Sequence, residues 1–158
     1  FFRARLSGKE EIFPVHFAIS DISNQKHYTA QTIERKIGGL AAYNDLLIRS
    51  GDYKIEILGE SEFKITARPR GEQISLELRL TANKKEILLH GDKGYSIKSN
   101  LDKNIYSYYY SIPRLQTKGF LKIGERKLEV TAGTSWMDHE WSFPVKENEK
   151  NSDAKKIT

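Results

Sequence analysis

The sequence predicts an all-β, antiparallel fold closed as a sandwich or a barrel. Three observations carry this. Apolar residues recur at every second position in segment after segment, the breaks between segments hold Gly, Pro, Asn and Ser, and eight Tyr, seven Phe and two Trp give the chain a strand-forming aromatic content. Successive side chains of an extended chain point to opposite faces, so a period of two buries one face of a sheet. Aromatic side chains also fit a pleated, half-buried surface. At 158 residues the chain is long enough for one sizeable core.

Taken in order, the elements begin with a strand-like stretch at Phe1-Phe2-Arg3-Ala4-Arg5-Leu6, which lacks an initiating Met and is expected to continue upstream. Phe13 to Ile19 reads as a strand, ended by the turn residues Asp21-Ile22-Ser23-Asn24. Gln31 to Leu47 reads as a loop with one helical turn. The spacing of Ile37, Leu40, Ala41 and Leu47 suits a short helix, but Gly38-Gly39 costs it about 1 kcal/mol per glycine. Three strands follow, marked by Tyr53, Ile55 and Ile57, by Phe63, Ile65 and Ala67, and by Ile74, Leu76, Leu78 and Leu80. Gly59-Glu60-Ser61 and Pro69-Arg70-Gly71 separate them.

Further on, Tyr106, Tyr108, Tyr110 and Ile112 alternate. Phe120 to Ile123, Gly124-Glu125 and Leu128, Val130 and Ala132 then read as a hairpin with a short turn. The folded domain is expected to span 1–143, with 144–158 as a polar tail or linker, because Glu147-Asn148-Glu149-Lys150-Asn151-Ser152-Asp153 has no apolar period.

A composition of 38% hydrophobic and 30% charged residues excludes wholesale disorder. The net charge of +5 and isoelectric point near 9.3 are compatible with an acidic partner. The basic residues are nevertheless scattered, each near carboxylates in sequence, as a solvated surface requires, and no nucleic-acid motif is present. There are no cysteines, so a disulfide framework and thiolate metal sites are excluded. No segment is long and apolar enough to span a membrane as a helix, so stable insertion is not expected. The four histidines show no metal-ligand spacing, and neither a phosphate loop nor a nucleophile turn occurs. Neither a metal nor a cofactor is expected.

The chemistry-bearing stretch is Gly133-Thr134-Ser135-Trp136-Met137-Asp138-His139-Glu140-Trp141. If it is extended, Trp136, Asp138 and Glu140 share one face and Met137, His139 and Trp141 the other. A carboxyl drawn into apolar surroundings has its charged form disfavoured and its pKa raised, which equips it as a general acid. Asp138 and His139 can equally bond to strand-end backbone or an Arg and serve only to hold the fold. Tyr106, Tyr108 and Tyr110 form an aromatic face with hydroxyl tips, suited to a flat or elongated apolar ligand with one polar end, or to ordinary core packing.

Four segments in order, His16-Phe17-Ala18-Ile19-Ser20-Asp21, His90-Gly91-Asp92-Lys93-Gly94-Tyr95-Ser96, Tyr108 to Leu115 and Gly133 to Trp141, resemble the bacterial AttH-like proteins. These are lipocalin-type proteins related to carotenoid hydratases and often described as predicted secreted hydrolases. The resemblance runs from about Phe1 to Phe143, and Trp-Met-Asp-His-Glu-Trp is its most specific piece. It implies an antiparallel lipocalin-like β-barrel, the first of two such domains with the second absent from this chain, a pocket where the halves meet, and a location in the bacterial envelope or outside the cell. In the hydratase branch the acid matching Asp138 is thought to protonate a carbon–carbon double bond, after which water captures the carbocation. That branch carries His and Trp where this chain has Tyr108 and Tyr110, which separates the chain from carotenoid hydration specifically.

The resulting expectation is a domain that binds an apolar small molecule, a terpenoid or lipid. Asp138 and His139 are its candidate catalytic residues for acid-assisted hydration or hydrolysis, and Tyr108, Tyr110, Trp136 and Glu140 are its ligand-binding residues. The alternative is a noncatalytic carrier using the same pocket without a reactive acid.

Overall fold

A computed structural model describes residues 1–6, 10–82 and 86–142. The expected tail 144–158 lies outside the described residues. The fold is all-β and antiparallel, with twelve strands and a single 3-10 turn among the described residues. The chain forms two compact units, Phe1–Lys85 with Arg114–Ser135, and Glu86–Pro113 with Trp136–Thr158.

In the first unit, β1 (Ala4–Arg5), β2 (Glu11–Asp21) and β3 (Lys26–Arg35) make a three-stranded sheet in the order β1-β2-β3. The predicted Phe13 to Ile19 strand is the middle of β2, and the turn after Asp21 holds: Asp21 Oδ1 accepts the Asn24 backbone N–H at 3.2 Å, and Gln25 takes a positive φ. β4 (Ala41–Asn44), β5 (Leu47–Ser50), β6 (Tyr53–Gly59), β7 (Glu62–Ala67) and β8 (Ile74–Thr81) form a meander.

The loop expected over Gln31 to Leu47 is therefore corrected. Its first residues belong to β3, the helical turn shrinks to the 3-10 segment Ile37–Gly39, and the rest is β4 and the start of β5. Gly38 and Gly39 both take positive φ, which prevents a helix from propagating between β3 and β4, strands of different sheets.

Beyond the meander the chain continues through β9 (Leu88–Leu89), β10 (Tyr95–Ile97), β11 (Tyr106–Ile123) and β12 (Arg126–Trp141). β11 merges the two predicted segments Tyr106 to Ile112 and Phe120 to Ile123 into one 18-residue strand. In the first unit its later half pairs with β8, from Gln116 against Thr81 to Ile123 against Ile74. In the second unit its early half pairs with β10 and β9, with Tyr108 opposite Tyr95 and Tyr110 opposite Leu89. β12 follows the turn at Gly124-Glu125 and pairs with β11.

The core of the first unit contains Phe13, Val15, Tyr53, Ala67 and Leu115, with Phe1, Phe17 and Leu76 packed around Val15, Tyr53 and Ala67. These are alternate-position residues of the predicted strands, and burying each large apolar side chain contributes roughly 1.5–3 kcal/mol. Ser50 sits in the same interior, satisfied by donating to the Phe13 carbonyl at 2.6 Å. In the second unit the fully or nearly buried side chains include two serines, Ser107 and Ser111, so polar bonding carries more of its order.

Candidate functional site

The six residues predicted from sequence all lie in the second unit, on β11 and β12. The strand period separates them. Trp136, Asp138 and Glu140 share one face with Ser107, Tyr109 and Ser111, while His139 and Trp141 share the other with Tyr108 and Tyr110. The extended reading of Gly133 to Trp141 therefore holds, but what looked like one constellation is two.

The polar face is centred on Asp138. Its Oδ1 accepts the Ser111 hydroxyl at 2.5 Å and the Trp136 indole N–H at 2.7 Å, and Tyr109 adds a further hydrogen bond. Because the Ser111 proton goes to the carboxylate, its oxygen accepts from His90 Nε2–H at 2.7 Å. His90 also stacks on the Tyr109 ring, with centroids 3.9 Å apart. This order, His–Ser–Asp with a wholly buried serine in the middle, differs from a nucleophile triad, in which the histidine lies between the other two.

Two residues further along β12, Glu140 Oε1 accepts from Ser107 at 2.6 Å and lies 2.5 Å from Lys98 Nζ. Lys98 in turn stands over the Tyr109 ring.

The electrostatics correct one expectation. Burial was expected to raise the Asp138 pKa and keep the acid protonated. The Ser111 hydrogen bond, followed by that from Trp136, instead holds the carboxyl below the ordinary aspartate range, outweighing desolvation, and Asp138 is exposed. Hydrogen bonds to the charged form favour it, so Asp138 is a fixed anion at neutral pH. Glu140 is likewise lowered, by Lys98 first and Ser107 second.

The opposite face is aromatic and half-exposed. Tyr95 stacks on Tyr106 at 4.3 Å, and Tyr108 stacks on Trp141 at 5.5 Å. Tyr110 meets Trp141 edge-on, and His139 lies 5.1 Å from Trp141. The Tyr110 hydroxyl is 3.1 Å from His139 Nδ1. Desolvation lowers the His139 pKa and raises that of Tyr110, so both are neutral near pH 7. The result is a ring-lined surface with one hydrogen-bonding pair at its edge.

Sequence reasoning left out His90, Ser111, Tyr109, Ser107 and Lys98, which anchor the carboxylates, and Trp141 and Tyr95, which complete the ring cluster. Tyr95 and Trp141 were within reach of the period-two argument. His90 was not, because the turn after it fixes its position. There Asp92 and Tyr95 exchange both backbone hydrogen bonds, and a Cβ on Gly91 would lie 2.1 Å from the Tyr95 carbonyl oxygen. A cavity of about 730 Å³ lies in the first unit and contains none of the six predicted residues.

Comparison with known proteins places these residues in a family: the AttH-like model matches residues 3–154, including the whole of β9 to β12. The chain belongs to the AttH-like family. A solved structure of a candidate AttH protein from Nitrosomonas europaea superposes on the AttH-like chain with a TM-score of 0.76 and 26% sequence identity. The match covers 87% of this chain and 42% of that one, so the AttH-like chain spans about two fifths of that protein's length. No curated protein matches the chain.

Proposed function

We propose that this AttH-like chain is a lipocalin-like barrel domain that binds an apolar small molecule of the terpenoid or lipid class, and that its task is binding, with no acid-catalysed step at Asp138. The observation that carries the reading is the half-exposed cluster in which Tyr110, His139 and Trp141 lie 5.1 to 6.1 Å from one another, ring to ring, and Tyr108 stacks on Trp141 at 5.5 Å. Rigid aromatic rings offer contact area at low entropic cost, and the Tyr110–His139 pair supplies a polar end point for an otherwise apolar ligand.

Hydration through Asp138 would require a carboxylic acid that holds its proton at neutral pH. Three hydrogen-bond donors on an exposed carboxylate work against that. In this reading Asp138, Trp136 and Glu140 position the strand, and His139 orients the ligand. A second domain of the full-length protein would cover the aromatic face, as the greater length of the structural relative suggests. An envelope or secreted location belongs to the same proposal.

Retinol and geranylgeraniol are suitable probes. Titration should give saturable binding that Trp141→Ala and Tyr108→Ala each weaken by about tenfold and Asp138→Asn leaves nearly unchanged. Addition of water to the isoprenoid, lost in Asp138→Asn, would restore the hydratase reading. Binding indifferent to both aromatic substitutions would remove the aromatic face from the function.

A further inference from the structure

On the aromatic face of the second unit the rings run in a strip. From Tyr110 the line passes to Trp141 at 6.1 Å, then to Tyr108 at 5.5 Å and on to Tyr106 at 5.7 Å, where Tyr95 stacks at 4.3 Å. It ends at Ile97, which stands opposite Tyr106 in the ladder and is 48% exposed. Tyr110, Tyr108 and Tyr106 are alternate residues of β11, so the backbone rise sets the length of the strip. From Tyr106 to Tyr110 the strand covers about 14 Å, the extended length of a chain of roughly twelve carbons.

The two ends of the strip differ. At the Ile97 end the Tyr95 hydroxyl already donates to the Lys103 carbonyl at 3.1 Å, and the terminal side chain is aliphatic. At the other end the Tyr110 oxygen and His139 Nδ1 meet at 3.1 Å, the one hydrogen-bonded pair of side chains within the strip among the described residues. A molecule lying along the rings therefore finds two polar groups acting together at one end only.

The chemistry of that pair selects the polar end it takes. If the phenol O–H donates to Nδ1, the ring proton sits on Nε2 and the phenol oxygen keeps lone pairs that accept. If Nδ1–H donates to the phenol oxygen, the phenol O–H becomes the outward donor and Nε2 the acceptor. Either tautomer presents a donor and an acceptor, and His139 is exposed, so Nε2 is open to a ligand. A hydroxyl both donates and accepts. A carboxylate or an aldehyde only accepts, an ammonium only donates, and a hydrocarbon does neither. Desolvation lowers the His139 pKa and raises that of Tyr110, so the pair carries no charge near pH 7 to offset the lost hydration of an ion.

We propose that the ligand of the aromatic face is a primary alcohol with an open main chain of about twelve carbons, its hydroxyl bonded between the Tyr110 oxygen and His139 Nε2 and its chain laid over Trp141, Tyr108 and Tyr106 toward Ile97. Tyr110 and His139 set the specificity for the head group, and the distance to Ile97 sets the length. Terpenoid and straight-chain alcohols share this chemistry. The inference rests on the reading of the aromatic face as a surface for an apolar small molecule, and it names the end group and reach of that molecule.

Titration at pH 7 with farnesol, 1-dodecanol, farnesene and farnesoic acid, followed by tryptophan emission, tests it. Farnesol or 1-dodecanol should bind about tenfold tighter than the hydrocarbon and the acid, and the tighter of the two alcohols names the source. In Tyr110→Phe and in His139→Phe the ratio of alcohol to hydrocarbon affinity should fall to about one, a change that general loss of structure would not produce. Geraniol, with its shorter chain, should bind about tenfold more weakly than farnesol, and geranylgeraniol no more than about twofold tighter. Farnesene or farnesoic acid binding as tightly as both alcohols, an alcohol preference that survives both substitutions, or a further gain of about tenfold with geranylgeraniol would each overturn the proposal while leaving the aromatic face a binding surface. Absence of binding by all of these compounds would overturn the reading of that face as well.

Discussion

The Trp136 indole N–H donates to Oδ1 of Asp138 across 2.7 Å, two residues along the same face of one strand. The pairing is local and fixed by the strand's period of two. Ser111 then adds a charge-assisted bond from β11 to the same oxygen. Two donors on one oxygen explain why the carboxyl is anionic although desolvation pushes the other way. Ser111→Ala should therefore move the Asp138 pKa up toward 3.8, and Trp136→Phe should move it less, since the Ser111 bond is the larger cause. Carboxyl carbon NMR titration reads this directly, and an Asp138 resonance that titrates identically in all three proteins would contradict it. Ser111→Ala should also cost about 1 kcal/mol of stability, because His90 loses its partner as well.

His139 gives a pH dependence of known sign. Desolvation lowers its pKa below the ordinary 6.5, so between its folded value and 6.5 the unfolded chain binds a proton that the folded chain does not. Its contribution to stability is present above pH 6.5 and falls away as the pH drops toward the folded pKa. Thermal unfolding followed from pH 8 to pH 5 should show a decline beginning near 6.5 that is smaller in His139→Gln. Imidazole NMR should locate the titration below 6.5, and a value at or above that would remove the argument.

The contrast between these two residues shows how much was legible beforehand. The faces of β12 could be read from Trp136 to Trp141 because alternation is a property of the extended backbone. The assignment of His139 with Tyr110 to one ring-lined surface and Asp138 to the other follows from it. The protonation state of Asp138 could not be read, because Ser111 and Tyr109 come from another strand and only the register delivers them.

The same division applies to the fold. Tyr53 to Gly59, Glu62 to Ala67 and Ile74 to Thr81 were evident from alternating apolar residues. The hairpin of β4 and β5 was not, since Ala41-Ala42-Tyr43-Asn44 has no clear period and its turn rests on Asn44 Oδ1 accepting the Leu46 N–H at 2.9 Å. Gly38-Gly39, read as a weakness in a helix, are the positive-φ residues that precede that hairpin.

A second pH dependence is expected in the first unit. Glu11, its side chain largely buried, is held by Lys36 at 2.8 Å and by Arg3, and these bonds lower its pKa from 4.5 to about 2. The folded pKa is depressed, so the stabilisation is complete above pH 4.5 and is lost as the pH falls toward 2. Both partners are partly solvated, so screening reduces the worth of the network to about 1 kcal/mol. Urea unfolding at pH 7 and pH 3 should show Glu11→Gln costing stability at both, with less than half the cost at pH 3, because a carboxyl of folded pKa about 2 is still largely ionised there. An equal cost at both would assign the effect to packing.

Gly119 tests the long strand that runs from the aromatic face to the first unit's sheet. It lies in β11 opposite Leu78 of β8 with φ of +143°, and a Cβ there would come within 2.1 Å of the Glu77 carbonyl oxygen and 3.0 Å of the Leu78 Cα. Both obstacles are backbone, so no side-chain rotation relieves the contact, and the ladder from Gln116 to Ile123 would have to open. Gly119→Ala should therefore destabilise the protein by roughly 2–4 kcal/mol, well beyond the ordinary cost of a surface change. The positive φ adds to the loss, since an L-residue is strained there whatever the space. Chemical denaturation measures the effect, and amide exchange locates it: protection should fall first along Gln116 to Ile123 and Ile74 to Thr81. If Gly119→Ala unfolded at the wild-type denaturant midpoint, β11 and β8 could not approach each other as closely as this register requires.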